Sequence, residues 1–285
     1  MSSVLDTSMI TYGVGTIWFK SSEGDADMRI VNAVRSALDA GFRSIDAAQM
    51  YNTELEIGLA IEQSGIPRSE IFLGTKAASL DNVEASLEAS LSKLRTSYVD
   101  SYLIHSPFSD DHLPSTLQKA WLEMERCFER GLTRRIGVSN FAIQHLERIL
   151  EVATIKPSLN QIEMHPYLQQ TDLLAYLKQT DIGVQAFASL TPLTKAAPGP
   201  ADEVCSRLAE TYGVSQSTIL LRWVMDQNIP VVTTSGNRER MKNTLMELSS
   251  FQLQQAELEE MRRVCKTKTF RGFFAEDFQK LEQVA

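Results

Sequence analysis

Short runs of apolar and β-branched residues alternate along this chain with longer stretches in which apolar positions recur every three or four residues. The short runs are ITYGVGT (10–16), SIDAA (44–48), IFLGTKA (71–77), YVDSYLIHS (98–106), RRIGVSN (134–140), SLNQIEM (158–164), GVQAFASL (183–190) and IPVVTTS (229–235). Near-continuous apolar character of this kind predicts parallel strands covered on both faces. The stretches between them, among them MRIVNAVRSALDAG and LQKAWLEMERCFERG, carry the helical period. Gly41, Gly65, Gly131 and Gly213 stand where helices are expected to stop.

Eight strands, each followed by a helix, predict an α/β fold of the (β/α)8 TIM-barrel type, a single domain over residues 1–285. The active site is then expected at the C-terminal ends of the strands. The widest gap, between the seventh and eighth strands, holds PLTKAAPGPADE, expected to be a mobile flap, and then two helical stretches, 202–212 and 215–227. After about residue 266 the pattern gives way to the aromatic-rich tail KTKTFRGFFAEDFQKLEQVA, expected to run as a tail or loop.

Polar residues at the expected strand ends then acquire meaning. The second strand supplies Asp46, with Tyr51 just beyond it; the third ends on Lys76 and the fourth on His105. The fifth ends with Ser139 and Asn140, and the sixth carries Gln161. Singly, each has an ordinary structural explanation: Asp46 as a helix cap, Lys76 as a solvated end, His105 as a core histidine. Together they suggest a proton-transfer site. A phenol titrates near 10, too high for an efficient donor at neutral pH, and a neighbouring ammonium stabilises its anion. Lys76 would be that ammonium, expected to lower the Tyr51 value, and Asp46 would keep it charged. His105 would donate a hydrogen bond to a substrate oxygen. The reaction expected is protonation of a carbonyl oxygen as a hydride reaches its carbon.

The source of hydride is not a Rossmann site, because YGVGTIW lacks the third glycine of that fingerprint. Barrels bind phosphate after their last strands, at a helix N-terminus. There the chain reads TTSGNRERMKN (233–243), with Arg238 and Arg240 in the first helical turn. An ordinary helix cap with surface arginines remains open as the alternative.

Charge and composition narrow the field further. Lys and Arg total 28 against 36 Asp and Glu, a net charge of −8. Such a surface disfavours nucleic acid and anionic membranes as partners. No secretory leader and no apolar run long enough for a membrane helix are visible, so a cytoplasmic location is expected. Three dispersed cysteines, Cys127, Cys205 and Cys265, read as reduced thiols. Four histidines without ligand spacing make no metal site; His112 and His145 are assigned no role, and His165 a structural one.

Three long motifs, GFRSIDAAQMYNTELEIG (41–58), MERCFERGLTRRIGVSNF (124–141) and NQIEMHPYLQ (160–169), make the chain resemble the aldo-keto reductase family over nearly its whole length. The resemblance implies an NADPH-dependent carbonyl reductase with Asp46, Tyr51, Lys76 and His105 as its catalytic set, Tyr51 being the general acid. It places nicotinamide contacts on Ser139, Asn140 and Gln161, the stacking ring on Phe187 and a further contact on Thr16. Thr234, Ser235 and Arg240 would meet the adenosine phosphate. Departures are visible: Phe187 replaces a tyrosine, Ser106 a bulky pocket wall, and Ile17 intervenes before Trp18. One phosphate-binding lysine is also missing from Thr233-Thr234-Ser235.

AFASLTPL, VTTSGNRER and FRGFFAEDF look like the fungal subgroup of conjugated polyketone (ketopantoyl lactone) and α-keto amide reductases. That likeness implies small-molecule vicinal dicarbonyl substrates and a tail near the pocket. Trp18, Ser106, Phe108, Phe273 and Phe274 are the candidate pocket walls. A biosynthetic reductase of a complex ketone or imine, a cofactor-binding regulatory module, and a monomeric or dimeric state all stay open.

Overall fold

The structure is a computed structural model that describes residues 6–108 and 113–284; His112 lies outside them. The eight strands are β1 (Ile10–Gly13), β2 (Ser44–Asp46), β3 (Phe72–Ala77), β4 (Ser101–Ile104), β5 (Ile136–Ser139), β6 (Leu159–Glu163), β7 (Gly183–Phe187) and β8 (Val231–Thr233). They pair in parallel in chain order, and β1 closes on β8 through Ile10↔Val231. Each is shorter than its apolar run in the sequence. The residues beyond the ladder, such as 14–18 and 47–51, are those that build the rim.

The outer layer begins with α1 (Met28–Ala40), α2 (Glu54–Ser64), α3 (Val83–Lys93), α4 (Pro114–Glu129), α5 (Ile143–Leu150) and α6 (Thr171–Thr180). It continues with α7 (Ala201–Tyr212), α8 (Gln216–Met225), α9 (Arg238–Ser250) and α10 (Gln255–Cys265). All four glycines expected to end helices take positive φ, between 67° and 115°. Trp121 on α4 and Trp223 on α8 are fully buried between helix layer and barrel. The three cysteines are free and buried, and burial pushes each thiol up to about 12.

The tail differs from expectation. Its backbone at Gly272 and Phe273 bonds Glu163 at the end of β6, and it then forms a last helix, α11 (Ala275–Val284), with Glu276 and Asp277 in its first turn. Acidic residues there suit the positive end of the helix dipole, and Phe278 is its buried residue.

Candidate functional site

At the C-terminal rim, β2 and β3 set Asp46 and Lys76 on neighbouring strands, with Asp46 opposite Gly74 and Lys76 opposite Leu103. Lys76 is only 1% exposed. Its Nζ donates to Asp46 Oδ1 and Oδ2 at 2.7 Å each, and to Ala47 O at 2.8 Å. Three donors meet three acceptors, so the buried ammonium is satisfied and its charge compensated. Although burial is the largest influence and opposes charge, Asp46 and Tyr51 raise the Lys76 pKa overall.

Tyr51 closes a 3₁₀ turn immediately after β2, and its ring centroid lies 5.3 Å from Lys76 Nζ. Gly15 is needed there: a Cβ on it would stand 2.8 Å from the tyrosine ring. The phenol is raised, not lowered as the sequence suggested. Burial outweighs the ammonium of Lys76, and the Asp46 carboxylate works against it. His105 Nε2 lies 3.5 Å from Tyr51 Oη, with the rings edge to face. Burial, then the charge of Lys76, holds the imidazole down at about 3. Its Nδ1 is buried with no partner among the described residues.

Ser139, Asn140 and Gln161 meet around the same rim. Ser139 Oγ donates to Gln161 O at 2.9 Å, and Asn140 Nδ2 donates to His105 O and Ser139 Oγ. Gln161 Nε2 donates to Asp46 Oδ1 at 2.9 Å and to Gln185 Oε1 at 2.7 Å. Gln185 in turn donates to Thr11 Oγ1, which is bonded to Ser44 Oγ. Gln185 does not stand out in the sequence, yet it ties the carboxylate of Asp46 to a chain of amides and hydroxyls along the barrel axis. Its position two residues before Phe187, on the inward face of β7, is the signal that could have found it.

The β8 loop presents Thr234, Ser235 and Arg240. Asn237 caps α9 by accepting from Arg240 N at 2.9 Å. Arg240 is exposed and has no ion-pair partner among the described residues, whereas Arg238 reaches Asp39 at 3.4 Å. Ser189 Oγ is buried with no hydrogen-bond partner among the described residues, and the hydroxyl of Thr234 is buried beside the phenol of Tyr12. Ser189, just past β7, is a second residue that sequence reading missed.

Of the expected pocket walls, Phe108 packs on Phe274 (5.6 Å between centroids), on His145 (5.5 Å) and on Phe278 (5.2 Å). Ser106 Oγ accepts from Phe108 N and so shapes the turn after His105. Phe273 stands edge-on to Phe187 at 5.3 Å, with Lys195 Nζ over its ring at 3.8 Å. Glu163, at the end of β6, holds this tail: its carboxylate accepts from Gly272 N and Phe273 N at 2.9–3.0 Å. Lys268 donates to Ala196 O and Pro198 O, tying the tail to the loop after β7. Trp18 does not join this group. Its indole bonds Tyr12 and faces Gly236, on the β8 side of the rim. Thr16, Ile17 and Trp18 form a 3₁₀ turn, which Thr16 enters with a φ of 25°.

Comparison with known proteins agrees with this geometry. A family model described as "Aldo/keto reductase family" matches residues 11–266. The chain is 39% identical over 255 residues to an NAD/NADP-dependent indole-3-acetaldehyde reductase of Schizosaccharomyces pombe, covering 88% of this chain and 89% of that one. It is 38% identical over 263 residues to an NADPH-dependent alpha-keto amide reductase of Saccharomyces cerevisiae, covering 87% and 84%. Among solved structures, a Bombyx mori aldo-keto reductase in complex with NADP superposes with a TM-score of 0.79 at 30% identity, covering 90% of this chain and 88% of that one. An aldo-keto reductase from a deep-sea metagenome library gives 0.82 at 30% identity over 94% of both chains. With a barrel of matching topology, a matched family model and relatives of nearly equal length, the chain belongs to the aldo/keto reductase family.

Proposed function

We propose that this oxidoreductase uses NADPH to reduce activated ketones, with Tyr51 as proton donor, Lys76 and Asp46 as its electrostatic support and His105 as the hydrogen-bond donor to the substrate oxygen. The observation that carries this reading is the buried Lys76–Asp46 pair set against the Tyr51 ring, with His105 at the phenol's edge. A phenol raised by burial stays protonated at neutral pH, as an acid must. The ammonium's part is to stabilise the phenolate once the proton has left.

The residues present suit the cofactor. With their amide hydrogens spent inside the protein, Asn140 and Gln161 have carbonyl oxygens left to accept from a carboxamide NH2. Phe187 offers a ring face, and the hydroxyls of Thr234, Ser235 and Ser189, with the exposed guanidinium of Arg240, which has no ion-pair partner among the described residues, suit phosphate oxygens. When bound, the nicotinamide supplies the hydride. Arg240→Ala is expected to weaken NADPH about tenfold and NADH far less, because only NADPH carries the 2′-phosphate. Equal losses, read by calorimetry, would remove the clamp.

Support for the substrate class comes from the rim. Phe108, Phe273, Phe274 and Phe278 make an aromatic wall beyond His105, and Ser106 leaves the wall less bulky where the loop begins. Ring-bearing α-dicarbonyls fit: the second carbonyl withdraws electrons and eases hydride addition, while the ring packs on the phenylalanines. The relatives' names point the same way, one taking alpha-keto amides and the other an indole-bearing aldehyde. Isatin and ketopantoyl lactone are expected to exceed butanal in kcat/KM by about tenfold or more. A preference for butanal would overturn the dicarbonyl assignment.

The pH profile tests His105. An imidazole held at about 3 does not change charge in the working range, so it donates as a neutral ring. Activity lost on the alkaline side reports deprotonation of the Tyr51 acid. With the phenol held above its ordinary value, kcat/KM is therefore expected to be flat from about pH 5 and to fall only above about pH 10. An acid limb near about 6.5, the ordinary imidazole value, would contradict the neutral role.

A further inference from the structure

The barrel carries a recess of about 700 Å³ at the end away from the catalytic rim. Arg43, Asp100, Arg135, Ser158 and Pro230 line it, each standing just before a strand, so it opens at the N-terminal ends of the parallel strands. That volume lies within the roughly 300–1,000 Å³ of small-molecule sites. From this mouth the lining runs inward past Ser44 to Asp46, Gly74 and Ser101, which the register sets side by side in one layer of the barrel. Such layers are ordinarily filled by bulky branched side chains.

In that layer Ser101 is 3% exposed, and its Oγ is buried with no hydrogen-bond partner among the described residues. Gly74 interrupts β3, where a glycine weakens the strand. Yet a Cβ on it would meet nothing closer than Ser101 Cβ and O at 3.7 Å, an ordinary contact, so alanine would fit. The missing side chain leaves the recess open, and a ligand can supply the bond that the Ser101 hydroxyl lacks.

Charge narrows the ligand. Of the three carboxylates in the lining, Asp46 is paired with Lys76, and Asp100 with Arg68 and Arg134, which leaves Glu70 against Arg43 and Arg135. The Arg135 guanidinium reaches past β4 to the Phe72 ring on β3, 5.7 Å from its centroid, and has no ion-pair partner among the described residues. On a chain of net charge −8, such a mouth favours an anion. Asp46 at the inner end would repel a second negative group, so the part of the ligand lying there is neutral. From Phe72 to Gly74 is two residues of strand, about 7 Å, room for a body of about three carbons.

We propose that this recess is a ligand site for a small anion with a hydroxylated body: the anionic group meets Arg135 at the mouth, and a hydroxyl meets Ser101 inside. It lies at the opposite end of the barrel from the proposed cofactor site and does not depend on that assignment.

Glycerol 3-phosphate, with a phosphate at one end of a hydroxylated three-carbon chain, is a probe of that shape. It is titrated by calorimetry into the full-length protein saturated with NADP⁺, so that the nucleotide's own phosphate sites are filled. Binding with a Kd of about 1 mM or below is expected, with inorganic phosphate and glycerol each weaker by about tenfold or more. Arg135→Gln, at an exposed position, is expected to raise Kd about tenfold, and Ser101→Ala about fivefold. Wild-type protein that does not bind glycerol 3-phosphate would overturn the inference. Binding that either variant leaves unchanged would overturn it too. Inorganic phosphate bound as tightly as the ester would do the same, marking the arginines as a surface anion patch only.

Discussion

Lys76→Met is expected to lower kcat by about 10³-fold while leaving NADPH affinity within a few-fold of the wild type. Methionine matches the length and apolar stem of lysine, so packing survives. What goes is the charge beside the phenol and three hydrogen bonds, two to Asp46 and one to Ala47 O. Without the ammonium, burial and the Asp46 carboxylate act on Tyr51 unopposed, and the phenolate left after proton transfer has no counter-charge. Tyr51→Phe, which removes the proton itself, should lose a comparable factor, and the double mutant little more, because the two act as one unit. The variant also leaves Asp46 buried with only Gln161 Nε2 and its backbone surroundings. Breaking one side of such a pair costs about 3–5 kcal/mol unless the carboxyl takes a proton, so its midpoint in urea should fall at high pH and recover as pH is lowered. Wild-type turnover in Lys76→Met, measured with isatin and NADPH, would defeat the proton-transfer assignment.

Much of this arrangement was legible because the fold converts local pattern into radial position. Eight apolar runs must be strands buried on both faces, and a polar residue at or near the end of such a run must lie towards the rim; Asp46, Lys76, His105 and Ser139 were visible for that reason, and Gln161 as a polar residue inside the sixth run. What the sequence could not show was the sign of competing effects. Lys76 beside Tyr51 suggests a lowered phenol, but desolvation depends on how deeply the rim is covered, and here it prevails. Trp18 stands on the β8 side of the rim, bonded to Tyr12 and against Gly236, at the end of a 3₁₀ turn. The pattern of apolar residues does not show those contacts. The final helix was missed for another reason. AEDFQKLEQV is too short and polar to stand out, and it is held by Phe278 packing on Phe108 and Arg271, a tertiary cause.

Gly58→Ala tests the other end of the first motif and is expected to lower stability by about 2 kcal/mol, a fall in Tm of about 5 °C. Glycine in the middle of a helix costs up to about 1 kcal/mol relative to alanine, so propensity alone predicts stabilisation. Contact decides otherwise. A Cβ at this position in α2 would stand 2.6 Å from Lys93 O, 2.7 Å from Leu94 C and 2.8 Å from Leu94 O. All three are backbone atoms at the end of α3, and Leu94 N is itself bonded to Ser90 O, so no rotamer change relieves them. The two helices must separate. α2 starts at Glu54, three residues after Tyr51, and Thr53 Oγ1 at its head donates to Val14 O. Moving the helix therefore pulls on the turn that aims the phenol, and kcat should fall along with Tm. A Tm that rises instead would mean the interface yields at little cost. Lost stability with full turnover would show that the tyrosine turn is anchored without α2, through Lys20 N and Gly15.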